Sequence, residues 1–286
     1  MSARFSIRKL GAQGDGIAET ETGDLFIPFT LPGETVTAAR ERDRAMLMAV
    51  LEASPLRIDP ACRHFTECGG CALQHFEAEA YRQWKREKVV HALKGIDCEI
   101  GALVACAPQT RRRVVLAARR TDTGMLLGFH RHLSPEIVAI SECPISLPEI
   151  VASLDRLKAL AILVCATTKS FRMAVTVTGS GLDVAVYESG KLGENQRRVA
   201  SNFVMAQGFA RLSIDDEIII EPKKPVVMFG SVAVAVPPGA FLQATEAAEQ
   251  AMADIVGGHL KRAKKVADLF AGCGSFALRL AAKSEV

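Results

Sequence analysis

Aromatic residues are scarce in this 286-residue chain, with one Trp, two Tyr and thirteen Phe. RNA recognition through many stacked aromatic rings is therefore not expected. Charge of one sign is lacking too. Thirty-five Lys and Arg stand against 32 Asp and Glu, a net +3, so any nucleic-acid surface must be local rather than global. No run of eighteen apolar residues occurs, so no membrane span is expected. The N-terminus, Met1-Ser-Ala-Arg-Phe-Ser-Ile-Arg-Lys9, lacks an apolar signal core, and a cytoplasmic address is expected. Hydrophobic residues make up 49%, which excludes wholesale disorder and supplies a sizeable core. The length suits two or three domains.

What is present is a knot of cysteines. Cys62, Cys68 and Cys71 lie within ten residues, in the pattern C-x5-C-G-G-C followed by Ala72-Leu73-Gln74-His75. The paired glycines let the backbone turn so that the sulfurs can converge. Three thiols leave a tetrahedral site one ligand short. Cys143 is the best fourth, because Pro144 stiffens the chain beside it. Disulfides, zinc and an iron–sulfur cluster are the three readings. A reducing compartment argues against disulfides. Spacing does not separate the other two, since four thiolates suit both.

Together with the Glu142-Cys143-Pro144-Ile145 context, this pattern resembles the iron–sulfur-containing RNA uracil-5-methyltransferases, which make 5-methyluridine in 23S ribosomal RNA. The resemblance implies a 4Fe–4S cluster on Cys62, Cys68, Cys71 and Cys143. It also implies S-adenosylmethionine as methyl donor. RNA is the implied partner, 23S rRNA preferred over tRNA, and a monomer is expected.

The remaining segments are read against that background. Phe5–Ile7, Leu25–Pro28, Thr35–Ala38 and Met46–Leu51 are short apolar runs broken by glycine-rich turns, the spacing of a compact β-barrel. The stretches Gly14-Asp15-Gly16-Ile17-Ala18 and Ile27-Pro28-Phe29-Thr30-Leu31-Pro32-Gly33-Glu34 resemble the TRAM domain, an RNA-binding barrel. Ala78–Leu93 reads as an amphipathic, solvated helix. Arg111, Arg112 and Arg113 open a predicted strand partnered by Met125–His130, with Arg131 following. Arginines clustered on a sheet suit phosphate contacts, and a solvated edge strand guarded by charge is the alternative. A hairpin over Phe171–Val186, a helix within 191–209 and strands at Ile218–Ile220, Val226–Phe229 and Val232–Val236 complete an α+β middle. Cys98, Cys106 and Cys165 read as core.

Thr245 is the predicted N-cap of a helix over Glu246–Leu260. The family has F-x-Q-V-N before it, so the resemblance assigns Gln243 to the methyl donor and Phe241 to the RNA base, although Ala244-Thr245 departs from Val-Asn. Finally, Asp268-Leu-Phe270-Ala-Gly272-Cys273-Gly274-Ser275-Phe276 reads as an apolar strand ending in a Gly-x-Gly turn that opens a helix. It resembles the first S-adenosylmethionine motif of class I methyltransferases. The resemblance places Phe270, Gly272, Gly274 and Ser275 against the cofactor, with Asp268 supporting the turn. Cys273 is not read as the nucleophile.

The expected architecture is mixed. Residues 1–53 form a TRAM-like β-barrel. Residues 54–236 form an α+β middle domain with the four-cysteine cluster, its segment 74–105 packing with the catalytic domain. Residues 237–286 form the start of an α/β Rossmann-like class I methyltransferase domain. The nucleophilic cysteine and general-base carboxylate of the family are expected after residue 286. The chain is thus expected to be C-terminally truncated and inactive alone. A non-catalytic RNA-binding iron–sulfur or zinc protein is the second reading.

Overall fold

A computed structural model describes residues 2–286, folded as two compact units. The first takes the chain up to Leu103 together with Arg131–Leu133, and the second holds Val104–His130 and Ser134–Val286. Of the segment 74–105, expected to pack with the catalytic domain, residues 74–103 fall in the first unit and 104–105 in the second. No helix among the described residues is long and apolar enough to cross a membrane.

In the first unit six strands form one sheet. They are β1 (Ser2–Ser6), β2 (Lys9–Leu10), β3 (Gly16–Thr20), β4 (Gly23–Ile27), β5 (Thr35–Glu41) and β6 (Arg44–Glu52), in the order β1-β5-β6-β4-β3-β2. Alternation puts every second side chain inside, as with Val36 and Ala38 of β5. Ile7, Ala18, Leu25, Ile27 and Ala45 fill the same core. The connection from β4 to β5 closes on Glu34, a fully buried carboxylate. It accepts hydrogen bonds from the backbone N–H of Leu31 at 2.9 Å and of Ser54 at 3.3 Å, and a two-pronged grip from Arg57 at 2.5 and 2.9 Å. Burial alone would raise its pKa, but these four donors outweigh that and hold it below the usual carboxylate value.

The helix α1 (Ala78–Ala92) follows, capped by the Glu77 carboxylate, which accepts from the N–H of Glu79 and Ala80. None of its residues is fully buried, as the charged pattern predicts. Before it lies His75, with no exposed surface and its ring 5.3 Å from that of Phe65. Its ring nitrogens approach the Thr30 backbone without making a hydrogen bond of good geometry. Burial, reinforced by the Arg57 charge, pushes the imidazole down to about 4, so it is neutral at physiological pH.

In the second unit seven strands form a sheet ordered β13-β12-β11-β10-β7-β8-β9. The strands are β7 (Arg113–Thr121), β8 (Gly124–His130), β9 (Ile137–Ala139), β10 (Phe171–Thr178), β11 (Gly181–Tyr187), β12 (Arg211–Ile214) and β13 (Glu217–Ile220). Neighbours are antiparallel except β11 and β12, which run parallel and are joined through helix α4 (Glu194–Ala206). The short helix α2 (Pro148–Val151) precedes α3 (Leu154–Val164). The latter buries Leu154, Leu157, Leu160, Ala161 and Val164, a stripe at helical spacing that joins the sheet core. Arg211 and Asp183, directly opposed on the parallel pair and both buried, form a two-pronged ion pair at 2.8–2.9 Å.

A hairpin of β14 (Val226–Phe229) and β15 (Val232–Ala235) leads into α5 (Glu246–His259) and the one-turn helix α6 (Ala277–Leu280). The strand expected before the glycine turn does not form. A strand exists only where a neighbour takes its hydrogen bonds. Here the described residues supply a single bridge between Lys265 and Glu285, with two backbone bonds of 2.8 and 2.9 Å. The helix expected after the turn is correspondingly one turn long.

The depressed pKa of His75 sets an acid dependence. An unfolded histidine binds a proton near pH 6.5, whereas the folded one resists until about 4. Stability is therefore lost as pH falls from about 6.5 to about 4, and the Glu34 contribution begins to be lost at the acid end of that window, as pH falls below 4.5. Urea unfolding followed by the fluorescence of the single tryptophan, Trp84, is expected to lose about 2 kcal/mol between pH 7 and pH 5. In His75→Phe that loss should vanish; an unchanged slope would show that the imidazole titrates alike in both states.

Candidate functional site

The predicted donor residues lie on two segments of the second unit, Pro237–Thr245 and Asp268–Ser275. One small core holds both. Leu242 of the first segment is buried with Val227, Phe229 and Val236 of the hairpin region, and Cys273 of the second and Leu278 of α6 pack against the same cluster. The apolar neighbours of Gln243 and Gly274 thus share one core, which fixes the two segments side by side.

The first segment is clamped from behind. Gly239 has φ +64°, the left-handed region, and a Cβ there would sit 1.8 Å from the Tyr187 hydroxyl oxygen. Its carbonyl accepts from Arg113 at 3.5 Å. The Gln243 carbonyl accepts from Arg112 Nε at 3.1 Å, and the Ala244 carbonyl from the Arg112 backbone N–H at 2.9 Å. Thr245 caps α5 as predicted, its hydroxyl accepting from the N–H of Ala248 at 3.1 Å.

In the second segment, Phe270, Gly272 and Gly274 all have positive φ, so the chain coils tightly. The Asp268 carboxylate accepts from the N–H of Ala277 at 3.0 Å, bracing the turn against α6. A Cβ on Gly272 would meet nothing within 4 Å, so that face of the turn stands open. The Ser275 carbonyl accepts from Arg279 Nε at 3.1 Å. Phe270 is fully exposed. Burial, aided by the charge of Glu249, pushes the Cys273 thiol up, so it stays protonated and is a poor nucleophile.

Between the segments sits Glu249, which sequence reasoning missed. It is fully buried, with one carboxylate oxygen accepting from Arg112 at 2.5 Å and the other from Arg279 at 3.0 Å. A glutamate on the first turn of a helix gives no signal that separates it from a solvated one. A cavity of about 710 Å³ opens nearby among the hairpin tip, α5 and α6. None of the predicted cofactor residues lines it.

The predicted RNA contacts divide. Arg111 is exposed, and its backbone bridges Ser146 and Thr245. Arg112 is corrected: only 6% exposed and paired with Glu249, it has no surface for a phosphate. Arg113 is half-buried and turned toward Gly239. Phe241 is 73% exposed, beside the clamped donor segment. Arg131 is exposed and belongs to the first unit, its backbone bridged to Cys68.

Cys62, Cys68 and Cys71 lie in the first unit and Cys143 in the second, all half-buried. The Cys68 sulfur accepts from the N–H of Gly70 at 3.4 Å, and the Cys143 sulfur from the Ser146 hydroxyl at 3.2 Å. Among the described residues, no group of three or more His, Cys, Asp or Glu side chains is gathered as a metal-ion site. Cys165 is buried as expected, whereas Cys98 and Cys106 are exposed. Their apolar sequence neighbours misled the reading, because 98–107 carries no regular structure that would bury them.

No protein-family model matches the chain. An uncharacterised RNA methyltransferase of Mesorhizobium japonicum is 90% identical over 286 residues, covering all of this chain and 69% of the relative. The 23S rRNA (uracil(1939)-C(5))-methyltransferase RlmD of Shewanella frigidimarina is 31% identical, covering 98% of this chain and 68% of the relative. Among solved structures, the Pyrococcus abyssi tRNA (uracil-54, C5)-methyltransferase in complex with S-adenosyl-L-homocysteine shares the fold. It superposes with a TM-score of 0.72 at 22% identity, over 97% of this chain and 70% of that one.

The fit of Gly239 against Tyr187 yields a direct test. Gly239→Ala should lower stability by about 1–3 kcal/mol through overpacking and an unfavourable φ. Thermal unfolding would measure it. Adding Tyr187→Phe, which removes the obstructing oxygen, should restore part of the loss; no restoration would mean that φ alone carries the cost.

Proposed function

The chain belongs to the RNA methyltransferase family, and from that premise we propose that it serves the transfer of a methyl group from S-adenosylmethionine to C5 of uracil in RNA, 23S rRNA in preference to tRNA. The observation that carries the proposal is the pairing of the clamped Gln243 segment with the Asp268-braced glycine turn around one core. Coiled glycine backbone with an open face is what a nucleoside cofactor needs for close approach. Gln243, Asp268, Phe270, Gly272, Gly274 and Ser275 are assigned to the donor site. The nearby exposed Phe241 is assigned to the RNA base, and Arg111 and Arg131 to phosphate. Similarity to a 23S rRNA uracil-C5 methyltransferase supports the ribosomal substrate.

The reaction proposed is covalent. A cysteine thiolate adds to C6 of uracil, which makes C5 nucleophilic enough to take the sulfonium methyl group as the S–CH3 bond breaks and S-adenosylhomocysteine leaves. A carboxylate then removes the C5 proton, and the thiolate leaves. Neither group is assigned to a residue of this chain. What these 286 residues contribute is binding and orientation of donor and base.

The six-stranded sheet of the first unit is assigned as a TRAM-like RNA-binding barrel. Cys62, Cys68, Cys71 and Cys143 are assigned to a 4Fe–4S cluster that staples residues distant in sequence. The residue types suit such a group, four half-buried thiols, although among the described residues no three such side chains are gathered as a metal-ion site. The cluster would supply cross-linking, not redox chemistry.

Calorimetric titration with S-adenosylhomocysteine is expected to show binding, and Gln243→Ala to weaken it about tenfold, the order of one or two lost hydrogen bonds. Unchanged affinity would remove Gln243 from the site. Anaerobically purified protein should contain four irons and four sulfides per chain, the composition of the proposed cluster. Cys62→Ser or Cys143→Ser should lose both, and a colourless protein holding one zinc would replace the cluster by a structural zinc site.

A further inference from the structure

We propose that Glu249 is a positioning residue for methyl-donor binding, coupling the Gln243 segment to the glycine turn through Arg112 and Arg279. The proposal rests on the donor-site reading above and assigns a role to three residues that the donor motifs do not include.

The geometry is a relay of fixed forks. One Glu249 oxygen holds Arg112 Nη2 at 2.5 Å, and the other holds Arg279 Nη2 at 3.0 Å. Each guanidinium then spends its Nε–H on a carbonyl. Arg112 reaches that of Gln243 at 3.1 Å, and Arg279 that of Ser275 at 3.1 Å. These carbonyls belong to residues of the two donor segments. A guanidinium is planar and rigid, so its Nη and Nε donors move together. Shifting the carboxylate by a fraction of an ångström therefore tilts both forks and displaces both segments.

Stability alone gives little reason for this arrangement. Taking one carboxylate and two guanidiniums out of water is costly, and apolar residues of similar volume often replace such a triad without loss. What apolar packing cannot do is hold two main-chain carbonyls at fixed directions. Pre-organisation of that kind lowers the ordering cost of binding. Arg279 of α6 also touches Gln250, the residue after Glu249 on α5, so its fork is held on two sides.

The test is S-adenosylhomocysteine affinity by calorimetry, paired with thermal unfolding, on the full chain. Wild type is measured first. Absence of binding there overturns the donor-site reading itself, before any variant is compared, and the coupling falls with it. Given binding, Arg279→Gln should weaken it about tenfold, the order of one charge-assisted hydrogen bond, and lower the melting temperature less than Glu249→Gln does, because the Arg112–Glu249 pair remains. Glu249→Gln should weaken binding at least as much and lower the melting temperature as well. The double variant should bind no more weakly than Glu249→Gln alone, because Arg279 acts through Glu249. Wild-type affinity in Arg279→Gln would overturn the proposal, and so would losses that add in the double variant. Should Glu249→Gln not fold, Arg279→Gln decides the matter alone, since Arg279 is partly exposed and its removal leaves the Arg112–Glu249 pair intact.

Discussion

A carboxylate buried between two guanidiniums sets the geometry of the second unit's functional end. Glu249 is fully buried, and Arg112 and Arg279 supply the hydrogen bonds that its carboxylate would otherwise take from water. Everything around it inherits that requirement. Arg112 must turn inward from the edge of β7, which removes it from the basic surface that its neighbour Arg111 still presents. The segment at Gln243 must lie where Arg112 can reach its carbonyl, and the glycine turn must lie where Arg279 can reach Ser275. Electrostatic necessity thus organises main chain that has almost no regular secondary structure of its own.

The first unit solves a similar problem differently. Glu34 is as deeply buried, but its charge is met by one arginine and two backbone N–H groups, all serving to close a turn between strands. One buried glutamate closes a fold locally and the other spans segments distant in sequence. The contrast shows how the same side chain, equally desolvated, does different work according to where its partners come from.

Much of the strand and helix content was legible in the sequence. Apolar alternation marked β5 and β6, glycine pairs marked the β10–β11 hairpin, and Thr245 marked the start of α5. What escaped has identifiable causes. The α3 stripe was present in Leu154, Leu157, Leu160, Ala161 and Val164, but no cap motif announced it, and its N-cap Ser153 makes no capping bond. The stretch before the glycine turn carries the apolar pattern of a strand and still has only one bridge, because pairing is a property of neighbours and not of the segment. Around the candidate site, motif residues were readable and their supports were not. Arg112 looks like Arg111 and Arg113 in the sequence; only the fold distinguishes an arginine that faces solvent from one committed to Glu249.

The parallel junction in the large sheet carries a consequence of another kind. Asp183 and Arg211 face each other across β11 and β12, the one pair of neighbours in that sheet that a tight turn cannot join. Those strands meet only after the whole α4 connection has been laid down, so nothing local tells them how to align. A slip of one residue would send Arg211 to the opposite face and strand Asp183 as an isolated charge in the core. The ion pair is therefore a proofreading device for strand alignment: misaligned pairings are penalised by a buried, unmatched charge, and the correct one alone is neutralised.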